Sequence, residues 1–483
     1  MKSEKKLLPK KSDDISKWYL TLIETANLAD YGPTKGTIII KPYGYALWEN
    51  FQAVFDPLFK KHGVKNAYFP SLIPYSLLEK EKRHISGFSP ELAVVTIAGG
   101  EELSEKLVIR PTSETIMYEA FSRWISSYRD LPLKINQWCN VVRWEKRTYP
   151  FLRTSEFLWQ EGHTVHATVD EAQEMTLQAL NWYKTFYEEV LAIAPHVGEK
   201  SGSERFAGAD KTFSVELVIP NGKALQAATS HNLGTNFSKS FKVQYLDTKN
   251  HLQYAHQTSW GLSTRAIGGL ILVHGDDNGL IIPPRIAPYQ VVILPIEGKT
   301  DEQNREITVL VKRIEELFEK NQIRFVLMNE IGKTLGYRLN ETEIMGIPMR
   351  IEIGAKEAEK NFVTFSDRIE YKKRHVSFEN LVEVIEEQIE DIQVELLKRS
   401  LISRDQLTED VDDMTEFKKI MEIDRKFLRA FWCEGQVCET KIKEITKATT
   451  RVIELEHIDN HEDGKCIYCG NPAQRKWLFA QAY

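Results

Sequence analysis

Two close cysteine pairs near the end of the chain, Cys433-x4-Cys438 and Cys466-x2-Cys469, restrict that region more tightly than any other feature. Each short loop turns two thiolates toward one point. The 27 intervening residues allow the pairs to meet, so the spacing predicts a tetrahedral, structural zinc site held by Cys433, Cys438, Cys466 and Cys469. Five cysteines in 483 residues would be an odd disulfide framework, which points to a reducing setting. No apolar run reaches the ~20 residues that span a bilayer. The start, MKSEKKLLPKK, lacks the apolar stretch of a signal peptide. A cytoplasmic location with no membrane partner is therefore expected. Cys139, in an apolar strand-like run, reads as a buried small hydrophobe rather than a nucleophile.

The length implies about three cores. A net charge of -6 argues against nonspecific coating of nucleic acid and leaves room for a local basic face. Residues 1–14 read as a basic, disordered tail. From 15 to 284, a helix at Ile15 to Ile23, a strand at Thr37 to Ile40, a long amphipathic helix opened by Pro42 and a short strand from Asn66 to Phe69, closed by Pro70, come first. Segments Leu92 to Ala98, Leu107 to Ile109, Leu133 to Glu145, Phe157 to Ala167 and Thr212 to Ile219 are rich in β-branched and aromatic residues. They predict one large, mainly antiparallel sheet in an α+β domain. From 285 to 400, strands alternate with helices, implying a three-layer α/β domain with a largely parallel sheet. Residues 401–483 form the cysteine-bearing domain.

The chemistry concentrates between Arg110 and Arg265. Alternation puts Phe157, Trp159, Glu161 and His163 on one strand face, an aromatic platform in line with a carboxylate and an imidazole that both need partners. Arg143, Glu145 and Arg153 flank a charged loop before that strand. Gly261 to Arg265 reads as a strand running into an apolar helix, with Arg265 at the junction. A guanidinium at a helix start is badly placed against the dipole unless an anion joins it, and phosphate resolves the conflict.

These segments resemble the signature motifs of class II aminoacyl-tRNA synthetases. The strand, long helix and strand ending at Pro70 resemble the first, Arg143-x-Glu145 through Phe157 the second, and Gly261 to Arg265 the third. Arg110-Pro111-Thr112-Ser113-Glu114, Asn136 to Asn140, Phe157 to His163, Phe206-Ala207-Gly208 and Thr229-Ser230-His231 narrow the resemblance to prolyl-tRNA synthetases of the archaeal and eukaryotic type. It runs from about residue 15 to Tyr483. It implies a class II catalytic fold, an α/β anticodon-binding domain and a small C-terminal α/β zinc-binding domain.

The activity implied is ATP-dependent formation of prolyl-adenylate followed by transfer to tRNA(Pro), with Mg2+ and a structural zinc, by a homodimer. Arg143 and Arg265 are the implied catalytic residues. The implied ATP set is Arg143, Glu145, Arg153, Thr154, Phe157, Gln226, Thr229, Ser263, Thr264 and Arg265, with Gln226 also toward magnesium. For proline it is Thr112, Glu114, Arg143, Trp159, Glu161, His163, Phe206, Ser230 and His231. Glu343, Arg350, Lys356 and Glu357 fall where the family reads the two guanines of the anticodon. Thr112 has an alternative reading as a helix cap. The chain departs from the family pattern at Ala227-Ala228, where glycines are expected, and in a second-motif loop one residue short. Between His163 and Phe206 lie only 42 residues, too few for the editing domain of bacterial-type relatives.

Overall fold

Strong β-formers between Lys65 and Ser263 supply seven strands of an eight-stranded sheet, seen here in a computed structural model that describes residues 8–80, 92–330 and 332–483. Its order is Ile453–Glu454, His196–Glu199, Lys211–Val218, Ala224–Gly234, His256–Ser263, Glu156–His166, Leu133–Val142 and Lys65–Asn66. Every pairing is antiparallel except that of Lys65–Asn66 with Ile135 and Asn136. One edge strand comes from the C-terminal domain, so that domain is stitched into the catalytic sheet.

Behind the sheet, helices Pro42–Lys61 and Val169–Thr185 bury an aromatic cluster. Trp260 meets Phe59 at 5.1 Å and Trp182 at 5.5 Å, ring centre to ring centre. Gly162 is obligatory for this packing: a Cβ there would lie 2.2 Å from the Trp260 ring. Proline at the first turn of one helix and a Thr168/Glu171 capping box on the other account for where they begin.

Four expectations change. The strands Ala93–Ala98 and Glu101–Ile109 join Leu72–Pro74 in a separate three-stranded sheet. The strand expected to reach Phe69 pairs only at Lys65–Asn66, because the Gln137 side chain takes the Phe69 N–H at 2.5 Å in place of a backbone carbonyl. In the α/β domain, Val291–Pro295 pairs in parallel with Phe325–Leu327 and Met349–Ile353, but Phe362–Asp367 and Arg374–Ser377 add antiparallel, so the sheet is mixed. The tail is also divided: residues 1–7 lie outside the described part, whereas Lys11 is tied by Nζ to the Gly275 carbonyl at 2.6 Å and lies over Trp18.

Candidate active site

Strand parity builds the site. The register sets Ser259 beside His163 on one neighbouring strand and His231 on the other, with Gly261 beside Thr229 and Ser263 beside Trp159. These residues, with Thr112, Glu114, Arg143, Phe157 and Glu161, line a cavity of about 280 Å³. Phe206, Gln226 and Arg265 complete the part foreseen from sequence. Lys200, Glu204, Thr212 and Ser259 also line it and were not foreseen; a polar, charged run between two apolar strands was the available signal for Lys200 and Glu204.

Five expected residues stand elsewhere. Ser230 lies out of phase with Thr229 and His231, and its hydroxyl donates to the Thr176 carbonyl at 2.7 Å behind the sheet. Thr154 is buried and donates to the Glu156 carbonyl. Thr264 is buried at the start of the Arg265–His274 helix. Glu145 and Arg153 pair with each other at 2.7 Å outside the cavity lining. Ala227 and Ala228 do line it, so their methyl groups are accommodated.

At one end, buried groups form a hydrogen-bonded block. Glu161 accepts from Ser113 Oγ at 2.5 Å, Gln137 Nε2 at 2.8 Å and His163 Nε2 at 3.1 Å, while Tyr118 OH meets His163 Nδ1 at 3.1 Å. Burial raises the Glu161 pKa, but the bonds from His163, Ser113 and Gln137 outweigh it and the carboxyl sits below its ordinary value. Burial likewise lowers His163, but its bond to Glu161 and the charge of Glu114 carry it above its ordinary value. The two therefore form a buried ion pair. His231 behaves oppositely: burial, then the charges of Lys200 and His163, push it down to about 3. It is a neutral ring stacked on Phe206 at 4.5 Å.

Thr112 donates to the Glu114 carboxylate rather than capping the Glu114–Trp124 helix, whose N-terminus has no side-chain cap. Arg110 fixes this turn from below, with bonds to the Phe69 and Asn140 carbonyls at 2.6 and 2.8 Å. Cys139 differs from a plain core thiol. It accepts from Trp159 Nε1 at 3.2 Å, and burial raises its pKa, so it stays protonated.

At the other end, cations converge. Arg143 Nε donates to the Pro111 carbonyl at 3.0 Å, and its guanidinium lies 5.5 and 5.4 Å from the Phe157 and Trp159 ring centres. Arg265 is held by the Leu152 and Gln226 carbonyls at 2.9 and 3.2 Å. Burial, then the charges of Arg143 and Arg153, lower its pKa below the ordinary guanidinium value. Guanidinium groups assembled against their own repulsion form a site for a polyanion.

Remote from the cavity, the four cysteine sulfurs lie within 4.8 Å of one another, with Cys433 3.6 Å from Cys438 and 3.9 Å from Cys469. Tetrahedral thiolates around zinc stand about 3.8 Å apart, far beyond a disulfide, so the set fits the metal. Without metal the thiols differ: burial raises the Cys466 pKa, but backbone amides of Cys469, Cys433 and Tyr468 outweigh it and bring it down to about 7, whereas burial pushes Cys433 and Cys438 up, so metal would have to displace their protons. In the α/β domain Arg350 lies 3.7 Å from Glu343 and 3.3 Å from Glu352. Glu357 is occupied locally, accepting from the Gly354 N–H and the Thr364 hydroxyl; Lys356 precedes it on the same short helix.

Comparison with known proteins decides the family. The description "tRNA synthetase class II core domain (G, H, P, S and T)" matches residues 95–274, "Anticodon binding domain" 290–388 and "Prolyl-tRNA synthetase, C-terminal" 414–483. The proline–tRNA ligase of Borrelia garinii subsp. bavariensis is 47% identical over 481 residues, covering 98% of this chain and 99% of that one. This chain belongs to the prolyl-tRNA synthetase family. Proline–tRNA ligase 2 of Bacillus cereus is 46% identical, with 100% of both chains covered. Among solved structures, prolyl-tRNA synthetase from Cryptosporidium parvum complexed with halofuginone and AMPPNP superposes with a TM-score of 0.94 at 41% identity, covering 99% of each chain. The same enzyme complexed with L-proline and AMP gives 0.93 at 40% identity, covering 99% of this chain and 97% of that one.

Proposed function

We propose that this member of the family ligates L-proline to tRNA(Pro) in the cavity between the Glu161–His163 pair and Arg265. The observation that carries the reading is one cavity with carboxylates and an aromatic wall at one end and guanidinium groups at the other. Glu114 and Thr112 accept from the secondary ammonium, and Trp159, Phe206, His163 and His231 enclose the ring. Arg143 stands between the two ends, next to both reacting groups. A proline carboxylate oxygen attacks the α-phosphorus of ATP, the bond to pyrophosphate breaks, and Arg143 stabilises charge building on the phosphoryl oxygens. The tRNA 3'-terminal hydroxyl then attacks the carbonyl carbon and AMP leaves.

Phe157 stacks on adenine, Glu145 accepts from its amino group, and Arg265 and Arg153 hold the outer phosphates. Thr229 and Ser263 add polar contacts from the floor. Magnesium would be held mainly through phosphates and water, with Gln226 as the protein residue toward it, and would supply further charge neutralisation. Glu343, Arg350 and Lys356 contact the anticodon; Glu357, engaged as a local cap, holds that edge in shape. Charging of a tRNA(Pro) transcript with labelled proline tests the activity. No stable proline ester above a no-enzyme control contradicts it.

The likeness over the full chain to the Cryptosporidium parvum enzyme, the cysteine domain and the short connection between His163 and Phe206 support the archaeal and eukaryotic type. Among the described residues no helix is long and apolar enough to cross a membrane, which agrees with a cytoplasmic enzyme. Two expectations follow from the periphery. Metal analysis is expected to find one zinc per chain, and replacing Cys438 by serine to remove it and loosen the tail domain; full-strength protein without zinc, or with a disulfide between these cysteines, contradicts the site. Large apolar side chains exposed at Tyr31, Ile39, Tyr68 and Leu72, in segments flanking the Pro42–Lys61 helix, support a two-fold dimer. Sedimentation should give twice the 55.8 kDa chain mass at micromolar concentration, and a 55.8 kDa species alone refutes it.

A further inference from the structure

One wall of the cavity lacks secondary structure of its own. Residues 200–210 connect strands His196–Glu199 and Lys211–Val218, and their first seven bring Lys200, Glu204 and Phe206 to the cavity. A turn segment of this kind keeps its shape only through side-chain partners. Besides local bonds to Thr212 and Asp210, partners come from the other end of the chain. Glu439, buried on helix Gln436–Thr446, accepts from Ser201 Oγ at 2.8 Å through Oε1 and from Ser203 Oγ at 2.5 Å through Oε2, and Thr450 also donates to it. Lys443 of the same helix approaches Glu204 at 3.9 Å. A second strut runs alongside: Arg451 grips the buried Glu216 at 2.6 and 3.1 Å, and Lys200 lies 3.5 Å from the other oxygen of that carboxylate.

We propose that Glu439 is a positioning residue for the proline end of the cavity. Its two oxygens hold hydroxyls two residues apart, which fixes the path of the segment that ends at Phe206. Phe206 in turn stacks on His231, and its N–H donates to Thr212. Glu439 follows Cys438 directly, so the cysteine cage holds the helix turn that carries this carboxylate. The C-terminal domain thereby shapes the amino-acid end without touching substrate. The polyphosphate end, built on Arg143 and Arg265, hangs from Pro111, Leu152 and Gln226 and is independent of Glu439. This inference rests on reading the Phe206 end as the proline pocket.

The test is pyrophosphate exchange by the full-length, zinc-loaded enzyme and its Glu439→Ala variant, with proline and ATP varied separately. Loss of two charge-assisted bonds to the segment predicts a proline KM raised about tenfold or more, an ATP KM within about twofold of wild type and unchanged zinc content. Glu439→Asp, which keeps both oxygens, is expected to recover part of the loss. A proline KM within about twofold of wild type overturns the proposal, as does a parallel rise in both KM values. If Glu439→Ala does not fold, Ser203→Ala removes one of the two bonds without altering the C-terminal domain; its proline KM must rise severalfold, and an unchanged value overturns the proposal equally. Wild-type enzyme with no proline-dependent exchange would instead remove the pocket reading itself, and the role of Glu439 with it.

Discussion

Replacing Arg143 by alanine is expected to lower proline-dependent pyrophosphate exchange by about 100-fold or more while leaving the melting temperature within a degree or two of wild type. Arg143 contacts the carbonyl of the buried Pro111 and the faces of the half-buried Phe157 and Trp159. Its loss removes the charge that stands nearest both the amino-acid end and the phosphate end. Lysine should not restore the rate, since a point charge cannot bridge a carboxylate and a phosphoryl group with the fork of a guanidinium. Exchange near the wild-type rate in the alanine variant would show that Arg143 serves neither substrate.

The second large effect belongs to Glu161, and here stability falls with activity. Five donors converge on this carboxylate, one of them the charged, buried His163 and the weakest the Cys139 thiol. Glu161→Ala strands that charge, and breaking a buried pair costs about 3–5 kcal/mol. A fall in the unfolding midpoint of the catalytic domain equivalent to less than about 1 kcal/mol would contradict the pair. Its pH dependence follows from the two directions of shift. The Glu161 pKa is lowered from 4.5, so its contribution is complete above 4.5 and is lost as pH falls through the lower, folded value. That of His163 is raised from 6.5, so its contribution is complete below 6.5 and is lost as pH rises through the higher, folded value. Stability should therefore be flat between pH 4.5 and 6.5 and fall on both sides, and the Glu161→Gln variant should lose the acid limb.

Period-two alternation explains why much of the site could be read from sequence. Phe157, Trp159, Glu161 and His163 fall on one face, and Gly261 and Ser263 continue it on the neighbouring strand. The same rule argues against Ser230, which alternates with Thr229 and His231 and points behind the sheet. Short words in a sequence do not carry that parity. Glu145 and Arg153 illustrate another limit, because sequence cannot tell that two residues given separate tasks sit 2.7 Å apart as partners. The three-stranded sheet escaped notice because β-propensity marks a strand and not its neighbour. Glu439, Arg451 and the edge strand Ile453–Glu454 reach the catalytic sheet across more than 200 residues of chain, and no local pattern encodes contacts of such separation.

Amino-acid-dependent pyrophosphate exchange, run with each of the common amino acids at saturating ATP and magnesium, tests the central claim most directly. Proline should drive exchange far above every other amino acid, with alanine the strongest competitor. Alanine fits inside walls built for a larger ring and loses only the contacts of the missing atoms, worth roughly 1 to 3 kcal/mol per methylene. Exchange driven best by threonine or glycine, or by no amino acid while the four cysteines hold their metal, would contradict the account.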